Sequence, residues 1–104
     1  MAFADNLKSL PPVAHLAALE LLDASGAVVA RIENKPGQAG SLAVYAALAD
    51  KHGAINAAAA QEGLQIYAEH TADAQAHPGK HPNIDRLIDL VAKGQSLTAR
   101  TIAA

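Results

Sequence analysis

Cysteine is absent from this chain, and tryptophan with it. Without a thiol there is no disulfide staple, no thiolate nucleophile and no cysteine-ligated zinc or iron–sulfur centre. Aromatic residues are scarce, confined to Phe3, Tyr45 and Tyr67. With 51% of the residues apolar, alanine supplies much of that total, and the expected core is thin and closely packed. No apolar run approaches the ~20 residues that span a bilayer. The opening MAFADNLKSLPP carries Asp5 and lacks a basic n-region, so neither a membrane span nor export is expected. There is also no block of basic residues. Eight Lys and Arg against ten Asp and Glu leave a net charge of -2, which argues against nucleic acid or an anionic membrane as partner. A cytoplasmic setting is the expectation.

What remains is a chain of 104 residues, the size of one domain that buries its own core, spanning 1–104. Phe3, Leu7 and Leu10 recur at helical spacing before Pro11 and Pro12, which predicts a short N-terminal helix. In LAALELLDASGAVVARIE, two apolar segments flank Asp23-Ala24-Ser25-Gly26, a turn signal in which the glycine takes the left-handed conformation of a β-hairpin. The first strand is the more apolar and so the more buried. Ser41 is the expected N-cap of a helix carrying Leu42, Tyr45 and Leu48, closed by Gly53. Asn56 is placed to cap a long alanine-rich helix running toward His77, with Ile55 stapling onto Ala60, and Pro78-Gly79 breaks it. From about Asn83 a further helix shows Ile84, Leu87, Ile88 and Val91 as its buried stripe, ending at Gly94. The tail SLTARTIA is predicted to be a last strand added to the hairpin. The expected fold is α+β: a small antiparallel sheet, made of the hairpin and the C-terminal strand, covered on one face by three helices and preceded by a short N-terminal one.

The chemistry-bearing residues concentrate in EHTADAQAHPGKHPNID. On a continuous helix, Leu64, Tyr67, Thr71 and Ala74 share the core side, while His70, Asp73 and His77 return to one neighbouring flank. Two imidazoles and a carboxylate are the minimal ligand set of an iron facial triad, and His81 beyond the turn would complete a zinc site or an acid–base cluster. Against this stand the exposure of that flank, the proline after His77 and the lack of an HExxH-type signature. The plainer reading is a polar helix end whose histidines meet the C-terminal dipole. Asp85 reads as a first-turn helix carboxylate.

A second candidate is KPGQAGS, where Lys35, Gly37, Gly40 and Ser41 precede a helix N-terminus, the place where N–H groups favour an anion. The order of lysine and glycines differs from a phosphate loop, and a capped strand-to-helix connection explains the residues as well. A third feature is the small-residue strip Ala59, Ala60 and Gly63. A glycine inside a helix costs ~1 kcal/mol relative to alanine, so the strip suits close approach of another helix, in the same chain or across a homodimer.

Taken together, ENKPGQAGSLAVYAALA, YAEHTADA and HPGKHPNIDRL resemble the DUF2322 family of small bacterial proteins across nearly the whole chain. That resemblance implies a bacterial, cytosolic setting and assigns no catalytic residue. The leading expectation is a non-catalytic binding or interaction domain, homodimeric and without a cofactor, because no nucleophile–base pair, cofactor fingerprint or complete ligand set is present. The rivals are a metal-dependent or acid–base enzyme built on His70, Asp73, His77 and His81, with zinc or iron, and a small-anion site at Lys35–Ser41.

Overall fold

The computed structural model describes residues 2–104. Its hairpin is organised by one carboxylate: Asp23 Oδ1 accepts from the Ser25 N–H at 2.9 Å, the Ser25 hydroxyl at 2.6 Å and the Ala27 N–H at 3.1 Å. Gly26 provides the positive φ of 86° that the turn needs. Strand β1 (Leu16–Leu22) then pairs antiparallel with β2 (Val28–Glu33) on one side and with the C-terminal strand β3 (Thr98–Ala103) on the other, giving the order β2-β1-β3. Being central explains why β1 is the apolar strand, with Ala18, Leu19 and Leu21 buried. Its charge, Glu20, lies opposite both Arg31 and Arg100 in register. Both guanidinium groups bond it, from Arg31 Nη1 at 3.1 Å and Arg100 Nε at 3.2 Å. These bonds, the one from Arg100 above all, hold the Glu20 carboxyl below its ordinary range.

Five helices follow the same logic of caps and stripes: α1 (Phe3–Lys8), α2 (Ala39–His52), α3 (Ala57–Tyr67), α4 (Glu69–Ala76) and α5 (Pro82–Lys93). Helix α2 makes the main contact with the sheet, across all three strands; α3 packs on α2, and α5 on α3. Asn56 caps α3 through its Oδ1, which accepts from the Ala59 N–H at 2.8 Å. Gly53 and Gly94 close α2 and α5 in the left-handed conformation. Ile55 is buried and its N–H and C=O form a bridge with Leu97 just ahead of β3. The stripe of α5 buries Ile84 and Leu87 as expected, but its third buried residue is Leu90, with Ile88 and Val91 only partly covered. No helix among the described residues is long and apolar enough to cross a membrane.

Two expectations need correction. Ser41 is not the N-cap of α2: the helix starts two residues earlier, at Ala39, and Gln38 stands at the cap position without a side-chain bond. The predicted long helix is also two helices. The chain breaks at Ala68, whose φ of 52° and ψ of -116° lie outside helical space. The break frees carbonyls that a continuous helix would use, and side chains satisfy them: the Thr71 hydroxyl donates to Leu64 O at 2.6 Å and Asn6 Nδ2 to Ile66 O at 2.9 Å. The second of these bonds comes from α1, which is further tied down by its Phe3 N–H on Glu69 Oε1 at 2.8 Å.

The small-residue strip is used inside the chain. Ala59, Ala60 and Gly63 are buried. A Cβ placed on Gly63 would stand 2.7 Å from Leu87 Cδ1 of α5 and 2.9 Å from Leu48 Cδ1 of α2. Glycine is therefore required by close helix packing within one chain, and the strip offers no open surface to a second copy.

Candidate functional site

A cleft opens where α2 and α5 begin. The turn before α2 is held by the Gln38 side chain, whose Oε1 accepts from the Glu33 N–H at 3.0 Å, and by Gly37 at a φ of 88°. Because the helix starts at Ala39 without a side-chain cap, the N–H groups of Gly40 and Ser41 have no acceptor among the described residues. A helix start of this kind carries partial positive charge. Helix α5 starts at Pro82, which has no N–H to satisfy, and Asp85 reaches back to the Gly79 N–H at 2.9 Å to fix the Pro-Gly turn ahead of it. Asp85 is thus a helix-start residue, as its position in the sequence suggests.

Two buried tyrosines join these starts to the core. Tyr45 of α2 donates its hydroxyl to Asn83 O on α5, and Arg86 Nη1 donates to the same hydroxyl at 3.2 Å. Burial pushes the Tyr45 phenol up to about 12. Tyr67, at the end of α3, donates to Ser41 Oγ at 2.7 Å, and burial raises its phenol as well. Both hydroxyls are protonated at neutral pH and act as fixed donors. Ser41, misplaced as a cap in the sequence reading, thereby links the start of α2 to the floor of the cleft.

The cavity between these elements measures about 390 Å³. It brings the start of α2, with Gly37, Gly40 and Ser41, beside His70, Lys80 and His81, and Phe3 and Tyr67 complete the aromatic part of its lining. Its described lining contains no carboxylate. The two sites that look separate in the sequence therefore share one cavity.

Not every candidate reaches it. Lys35 is outside the lining and pairs instead with Glu33, Nζ to Oε1 at 3.2 Å. His77 is exposed, with Nε2 3.9 Å from Asp73 Oδ1. Asp73 supports the cleft from outside its lining: its Oδ2 takes His81 Nε2 at 2.6 Å and Lys80 Nζ at 3.1 Å. Those two partners, His81 first, draw the Asp73 carboxyl down to about 2. His70 does not join this network. Its ring meets Phe3 edge-on at 5.1 Å and lies 5.8 Å from the His81 ring.

This arrangement differs from the metal site the residue types suggested. Among the described residues, no group of three or more His, Asp or Glu side chains is arranged to hold a metal ion. The Asp73 oxygen that would ligate the metal is taken by an imidazole and an ammonium, and a cation at 3.1 Å from it opposes a second one. What the cluster forms is an ion-pair network that fixes Lys80 and His81 at the rim of the cleft. Sequence reasoning missed Phe3, Lys80 and Asn83 as cleft residues. For Lys80 and Asn83 the available signal was the pair of helix starts, each preceded by a glycine turn, whereas Phe3 arrives only through the packing of α1 on Tyr67.

The profile of a family described as an uncharacterized protein conserved in bacteria (DUF2322) matches residues 3–101. The chain belongs to the DUF2322 family. That span takes in every residue of the cleft described above, from Phe3 to Ile84. No curated protein and no solved structure matches this DUF2322 chain.

Proposed function

We propose that this DUF2322 protein is a non-catalytic binding domain whose cleft takes a small anionic ligand. The observation that carries the reading is the lining of one cavity, in which Lys80, His70 and His81 stand beside a helix start whose Gly40 and Ser41 N–H groups have no acceptor among the described residues, while no carboxylate belongs to the described lining. Hydrogen bonds from such donors to an anion are charge-assisted and shorter than neutral ones, and the helix dipole adds to them. Asp73 supports the same reading from behind, since it orders Lys80 and His81 without entering the described lining. The Asp73 carboxylate balances the Lys80 ammonium at rest, so the expected ligand is small and binds reversibly.

Titration calorimetry with inorganic phosphate tests this. One site per chain is expected, with affinity that falls as salt rises, and Lys80→Gln should weaken it by roughly tenfold, the loss of one hydrogen bond to a charged group. Absence of heat at millimolar phosphate, or binding indifferent to Lys80→Gln, would contradict the proposal.

A further inference from the structure

We infer that the anion this cleft takes is organic: a phosphoryl or carboxylate head carried on a planar, apolar ring. The inference rests on the anion reading above and names its ligand class. Its ground is a row of rings. Tyr67 stacks on Phe3 at 5.1 Å with their planes 24° apart, Phe3 meets His70 edge-on at 5.1 Å, and His70 lies 5.8 Å from His81. The row therefore runs from an apolar end, in α1 and α3, to a polar end where Asp73 holds His81 beside Lys80.

All four residues belong to the lining of the same cavity. Phe3 is only partly buried, although its ring packs on Tyr67, and it belongs to the cavity lining. Gly40 adds to this: an added Cβ would stand 3.5 Å from the Phe3 ring, which leaves the bare backbone of the helix start next to an aromatic wall. A cavity of about 390 Å³ lies within the size range of sites for small organic molecules and is far larger than a four-oxygen anion requires. A bare ion would use the Lys80 end and leave the Phe3 end to water. A planar ring joined to the anionic head would cover both, with offset or edge-on packing against Phe3 and His70.

Four probes decide the matter on the full chain: phenyl phosphate against methyl phosphate, and benzoate against acetate, each by calorimetry. With at least one head, the ring-bearing anion is expected to bind roughly tenfold tighter than its methyl counterpart, the contribution of one well-packed aromatic contact. Phe3→Leu keeps an apolar residue that can pack α1 but removes the π face, and it should bring that ratio below about threefold. Equal affinity of ring-bearing and methyl anions with both heads would overturn this inference and leave the anion reading standing. A ratio unchanged in Phe3→Leu would overturn it too, by removing the ring row. If none of the four binds, the anion reading fails first and this inference with it.

Discussion

At Ala68 a single alanine holds a backbone conformation that L residues avoid, with φ 52° and ψ -116°. Glycine reaches that region without a Cβ clash, so Ala68→Gly is expected to raise stability in urea denaturation by about 1 kcal/mol, even after the entropy glycine adds to the unfolded chain. A loss of stability would mean that the break is not strained. Gly63 is the opposite case. Its missing Cβ makes room for Leu87 and Leu48, so Gly63→Leu should destabilise the chain by about 3 kcal/mol through overpacking, despite the better helix propensity of leucine. The loss should be independent of protein concentration. A concentration-dependent loss would instead place the glycine at an interface between copies. Asp73 sets a pH dependence. Its carboxyl is lowered from 3.8 to about 2 by His81 and Lys80, so the stability it contributes is fully present above pH ~4 and is lost as pH falls toward 2. In Asp73→Asn that part of the acid transition should disappear from a pH series of melting curves; an unchanged series would contradict the pairing.

Among the elements, those fixed by neighbours in sequence were legible and those fixed at a distance were not. The Asp23–Gly26 turn, the Asn56 cap and the closing glycines Gly53 and Gly94 are local chemistry, and each occurs where the residues indicate. Strand β3 was readable from its β-branched residues, and it joins the hairpin beside β1. The split of the long helix was hidden because nothing between Ala57 and Ala76 breaks a helix except Gly63, which is not where the break falls. The freed carbonyls are satisfied by Thr71, seven residues on in α4, and by Asn6, sixty residues away in the chain. That second bond could not be anticipated from local pattern. The start of α2 at Ala39 was misjudged for a related reason: Ser41 has the chemistry of a cap, but its hydroxyl is engaged by Tyr67.

For the whole molecule, the cleft is a product of topology. It draws on α1, the turn into α2, the α3–α4 break and the start of α5, segments that only the packed fold makes neighbours. The sequence showed the ingredients in two places, the glycine turn at Gly37–Ser41 and the histidines after Ala68, and gave no sign that they meet. Lys35 pairs with Glu33 and His77 stays beside Asp73, both outside the cleft lining, while Asp73 serves the cleft indirectly. The break at Ala68 belongs to this picture, since it separates the Tyr67 that floors the cleft from the His70 that lines it. The most direct test is a phosphate titration followed by backbone amide and histidine side-chain NMR shifts. The account predicts saturable shifts, fitting one site, at the amides of Gly40 and Ser41 and at the imidazoles of His70 and His81. Shifts spread over exposed lysines such as Lys51 and Lys93, with Gly40 and Ser41 unmoved, would contradict it.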